Sequence, residues 1–125
     1  MKLFIILGAI NAFLAVALGA FGSHGLEGKV EAKYLDIWKT AVQYQMFHAL
    51  GLLVIGFLMA QFPEAASFKW AGWLMFAGII FFSGSLFVLV LTAVSKLGAI
   101  TPIGGVLFLA AWVLVIVGAV KHIQS

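Results

Sequence analysis

Four apolar stretches, each without Asp, Glu, Lys or Arg, divide the chain: Leu3–Ser23, Thr40–Pro63, Trp70–Ser95 and Leu97–Val120. About 20 helical residues, at about 1.5 Å rise each, cross a hydrocarbon core of about 30 Å. Each stretch is long enough. Lipid offers no partner to an open backbone amide, so each must be helical. The pattern predicts one transmembrane domain over residues 1–125, with helices near 3–22, 41–62, 70–95 and 102–120.

Small residues recur inside these stretches. Helix 1 carries Gly8, Ala12, Ala15, Gly19 and Gly22 at steps of four and three, with Asn11 at the stripe's edge, placed to hydrogen-bond across a contact. Helix 3 carries Ala71, Gly78, Ser85 and Thr92, and helix 4 carries Gly104, Ala111 and Gly118, at seven-residue steps. Helix 2 has a shorter version in Ala49 and Gly56. Small stripes let backbones approach closely, and a seven-residue period favours left-handed crossings. The expected fold is all-α: an integral membrane, left-handed four-helix bundle.

The connections add detail. From Gly28 to Thr40 the chain reads as amphipathic, with Val30, Tyr34 and Trp38 at four-residue steps and Lys29, Lys33, Asp36 and Lys39 elsewhere. The reading taken is an interfacial segment between helices 1 and 2; a straight extension of helix 2 is the alternative. Pro63 ends helix 2, and Trp70 and Trp73 fall where an aromatic belt is expected. Gly98 suits the C-cap of helix 3, and Thr101 with Pro102 suits the start of helix 4.

Composition supports the membrane assignment. Apolar residues are 65% and charged residues 9%, against about 45–50% and about 25% in soluble domains. The basic Lys2 before an apolar run resembles a signal peptide. The run is long for an h-region of about 7–15 residues, and Asn11 interrupts it, so a retained helix is expected. The formal charge of +3 comes from seven basic residues, all lysine, against four acids. They flank the helices, as headgroup anchors do, and form no cluster of the kind that binds nucleic acid. No cysteine is present, which removes disulfides and thiolate chemistry.

Even spans put both termini on one side. Lys2, Lys69 and Lys121 lie on that face, and Lys29, Lys33, Lys39 and Lys96 on the other, so cations do not decide orientation. Cytoplasmic termini are expected from the general habit of even-span proteins.

The opening of helix 2, "QYQMFHAL", places Tyr44, Gln45 and His48 on one face, with Gln43 pointing away. Intramembrane polar residues usually face the bundle interior. Chain direction gathers Ser23, His24, that face, Thr92 and Thr101 in the same half of the membrane. His24, Tyr44, Gln45, His48, Thr92 and Thr101 are therefore the candidate ligand-binding cluster. Three readings remain open: hydrogen bonds between helices, a small polar cavity, and metal or haem ligation by His24 and His48. Two histidines without a third ligand are a weak metal signature, so no metal site and no cofactor are expected. No carboxylate lies within a span, which argues against proton-coupled export and acid–base catalysis. "SGS" at 83–85 lacks a nucleophile-elbow context, and "GAFGSHG" follows no strand.

Four segments in order, "GAFGSHGLEGK", "TAVQYQMFHAL", "FSGSL" and "LGAITPIGG", resemble the YwdK and YgdD family of small bacterial membrane proteins, itself similar to a eukaryotic four-span family. His24, Gln45, His48, Gly104 and Gly105 occupy motif positions, and Ser23 stands where a small Ala is usual. The resemblance covers essentially the whole chain. It implies four spans in a bacterial cytoplasmic membrane and no activity. The expected function is a non-enzymatic bundle binding a lipid, a small ligand or a partner membrane protein, itself included. A small transporter or channel component with a histidine-lined path is the alternative, and a metal- or haem-binding subunit the third.

Overall fold

The computed structural model describes residues 2–124. Four long helices carry the chain: α1 (Lys2–Leu26), α2 (Ala32–Gln61), α3 (Ala66–Thr92) and α4 (Thr101–His122). Each is long and apolar enough to cross a membrane. No strand occurs among the described residues.

The helices run alternately up and down. α1 lies along α2, α3 along α4, and the two pairs join mainly through α2 and α3. Small residues lie at these contacts. Gly8 abuts the Ala49 carbonyl and Leu53, Gly19 abuts Val42, and Gly22 abuts the Trp38 ring. Across α3 and α4, Gly78 receives Phe108, Gly104 receives Phe82, and Gly118 receives Phe68. Ala15, Ala71 and Ala111 are fully buried. Gly22, Gly78 and Gly118 each bring a large ring against a helix backbone, and Gly104 brings the backbone of Phe82 close, which supplies packing where lipid removes any hydrophobic drive between helices.

Two helices contain a five-residue π turn, Leu18–Gly22 in α1 and Ile80–Gly84 in α3. Through the first, α1 continues to Leu26 instead of ending near Gly22. The second inserts a residue into the seven-residue repeat of α3. Beyond it the buried positions are Ser85, Leu86, Leu89 and Val90, and Thr92 is exposed. α3 then stops at Thr92, with Ala93 in the left-handed region (φ 58°). A 3-10 turn over Ser95–Ala99 leads into α4. Helix 3 thus ends before Lys96, and Gly98 is not its cap.

The amphipathic segment is not a separate element. From Ala32 it is the first part of α2, a continuous helix of 30 residues. Its apolar side meets protein: Trp38 packs with Leu89 and Val90, together with Leu18, Leu26, Tyr34 and Phe87. The Trp38 indole donates to the Leu18 carbonyl at 2.9 Å, so a side chain expected to lie on lipid locks α2 to α1.

Candidate functional site

Most buried polar side chains join helices. Gln45 donates through Nε2 to Asn11 Oδ1 at 3.1 Å, linking α2 to α1, and Asn11 donates to the Leu7 carbonyl at 2.9 Å. Ser83 Oγ donates to the Ala41 carbonyl at 2.8 Å, linking α3 to α2. The Ser85 and Thr101 hydroxyls meet at 2.8 Å, linking α3 to α4. Thr101 is therefore not a free cap of helix 4; its hydroxyl is engaged by Ser85.

His48 completes the set. Its Nδ1 lies 2.8 Å from the Tyr44 carbonyl, and the Trp112 indole Nε1 lies 3.1 Å from its Nε2. A carbonyl only accepts and an indole N–H only donates. The proton is therefore on Nδ1, and Nε2 accepts from Trp112. The imidazole also stacks on Phe108 with centroids 3.5 Å apart and planes within 7°. Both nitrogens of His48 are engaged within the bundle.

Between α2 and α4 the backbones stand apart, and side chains fill part of the gap. What remains is an open-sided groove of about 720 Å³. Tyr44, Phe47, His48, Phe82, Phe108 and Trp112 form its aromatic walls. Tyr44 stacks on Phe82 at 4.3 Å. Gly105 also lines the groove, and a methyl group built on it meets no atom within 4 Å. Its edge is thus open space. Gln43 and Tyr44 bring polar groups to the groove, and neither side chain makes a hydrogen bond among the described residues.

A second depression of about 370 Å³ lies where α1 ends and α2 begins, lined by Ser23, His24, Glu27, Lys39 and Gln43 among others. His24 belongs here. Its side chain is 83% exposed, and Nδ1 lies 3.7 Å from Glu27 Oε2.

The expected polar cluster is therefore divided. Gln45 turns to α1, His48 to α4, and His24 to the cleft. Tyr44 is half-exposed at the groove and does not face the bundle interior with Gln45. Thr92 is exposed and its hydroxyl bonds the Val88 carbonyl at 2.7 Å, so it joins none of them. Among the described residues no group of three or more His, Cys, Asp or Glu is placed to hold a metal ion. Sequence reasoning missed Phe82, Phe108 and Trp112. A signal existed for one of them: Trp112 lies mid-helix in α4, away from the interfacial belts where membrane tryptophans concentrate.

A family model described as "Protein of unknown function (DUF423)" matches residues 18–105. The chain is 61% identical to the UPF0382 membrane protein YwdK of Bacillus subtilis, over 98% of this chain and 100% of that one. It is 58% identical to the UPF0382 membrane protein SERP0230 of Staphylococcus epidermidis, over 97% and 98%. For the UPF0382 membrane protein SSP2132 of Staphylococcus saprophyticus the identity is 55%, over 97% and 99%. No solved structure matches the chain. The matched segment includes the π turns, Gln45, His48 and the start of α4, and the relatives span the whole bundle. The chain belongs to the DUF423 family of membrane proteins.

Proposed function

We propose that this protein is a non-enzymatic membrane bundle that holds an amphiphile of the bilayer in the groove between α2 and α4. It would sit in a bacterial cytoplasmic membrane with both termini in the cytoplasm. The groove carries the reading. It combines a volume of about 720 Å³, aromatic walls and unbonded polar groups from Gln43 and Tyr44. Sites for small amphiphiles are largely apolar with a few polar groups that set orientation. Among the buried polar groups, Gln45 Nε2, Ser83, Ser85 and His48 bond neighbouring helices, and Gln45 Oε1 has no partner among the described residues. A histidine-lined path finds no support, because His48 bonds Tyr44 and Trp112 while His24 lies exposed beside Glu27.

The test is photocrosslinking with a lipid carrying a diazirine in its acyl chain. The expected result is label concentrated on Phe47, Val106 and Leu109, with less on Val16 and Phe13 of the outer face of α1. Label spread evenly over all exposed apolar positions would mean bulk lipid contact and would end the proposal.

A further inference from the structure

Resting on the amphiphile reading, we infer that the cleft between the end of α1 and the start of α2 receives a phospholipid headgroup that bears a phosphate beside an ammonium.

Three observations place a headgroup there. Lys39 comes immediately before the uncharged run that opens at Thr40, so the cleft lies at the edge of the apolar zone. Along α2, Lys39, Gln43 and Phe47 follow at four-residue steps on the exposed side. Gln43 lines both the cleft and the groove. A headgroup at Lys39 and a chain beside Phe47 are therefore about 12 Å apart along the helix axis. The two depressions form the polar and apolar ends of one track.

Charge selects the head. Among the described residues no carboxylate lies within ion-pair distance of Lys39. Glu27 lines the same cleft, with His24 Nδ1 3.7 Å from its carboxylate. The cleft thus offers one lysine ammonium and one carboxylate, with an imidazole beside the carboxylate. A phosphate on Lys39 and an ammonium on Glu27 satisfy both, whereas a purely anionic head would face Glu27 as a like charge. Ser23 and the Gln43 amide supply further hydrogen-bonding groups.

The test is native mass spectrometry of the full chain, equilibrated with equal amounts of phosphatidylethanolamine, phosphatidylglycerol and diacylglycerol of the same acyl chains. The wild type should retain phosphatidylethanolamine above the other two. Lys39→Gln should lower that retention about tenfold, the size of one charge-assisted contact, and leave diacylglycerol unchanged. Glu27→Gln should abolish the preference over phosphatidylglycerol. If Lys39→Gln binds like the wild type while Gly105→Leu, which fills the groove, loses all three lipids, the headgroup assignment is wrong and the groove survives. Equal retention of phosphatidylglycerol and phosphatidylethanolamine by the wild type overturns the ammonium half. Unchanged lipid retention in Gly105→Leu removes the groove reading, and this inference with it.

Discussion

Polar side chains in a lipid-facing sequence invite a search for chemistry, and here most of them hold helices together. Asn11 and Gln45 show how. Both are more than nine-tenths buried and bond to each other. Such contacts contribute about 0.6 kcal/mol on average and about 2 kcal/mol at most. Gln45→Leu and Asn11→Leu should each destabilise the bundle within that range. The double variant should cost less than their sum, measured by unfolding in mixed detergent; strict additivity would mean that the bond carries no coupling. The sequence told that Asn11 had reach across a helix contact and that Gln45 and His48 faced inward. It did not tell that they faced different neighbours. They are three residues apart, about 60° around the helix, and only the positions of α1 and α4 decide what each meets. Tyr44, equally polar at its tip, falls on the other side of that divide and lines the groove.

At the scale of the element, the small-residue stripes were legible because steric contact between backbones demands them at helical spacing. Adjacent Gly104 and Gly105 separate packing from open space. A Cβ at Gly104 strikes the backbone of Phe82, whereas one at Gly105 strikes nothing. Gly104→Ala should cost about 1–3 kcal/mol through overpacking. Gly105→Ala should be neutral or stabilising, by up to about 1 kcal/mol of helix propensity. Equal effects in thermal unfolding would contradict this packing. Ala93 offers a gain. A non-glycine residue at φ 58° carries a steric cost of about 1–2 kcal/mol, so Ala93→Gly should raise the melting temperature; a fall would show that the turn does not need that conformation. The π turns were not legible. Nothing in "FSGSL" announces an extra residue in the turn, and the seven-residue repeat drawn through Thr92 missed the shift. The amphipathic segment shows the same limit from another side. Its Tyr34 and Trp38 stripe was read correctly as apolar, but periodicity does not say whether lipid or protein covers it. Here Leu89, Val90 and the end of α1 do.

For the whole molecule, span number and alternating direction follow from the uncharged runs, and the structure agrees with both. Orientation does not follow, because lysines flank the two faces almost evenly. The absence of cysteine makes it accessible. Single cysteines in place of Lys33 and Gln124 report on opposite faces. With both termini cytoplasmic, an impermeant maleimide on intact cells should label Lys33→Cys and spare Gln124→Cys; the reverse pattern would invert the molecule. The groove was also beyond sequence reasoning. It exists because α2 and α4 are held apart while α3 binds both, a property of the assembled bundle that no single helix encodes. The central claim is that this groove is a binding site and not a packing remnant. Its most direct test is native mass spectrometry of the protein extracted from its own membrane, comparing the wild type with Gly105→Leu. The account predicts a bound lipid-sized mass on the wild type that is lost from the variant, with thermal stability unchanged. The same bound mass on both proteins, or none on either, would contradict it.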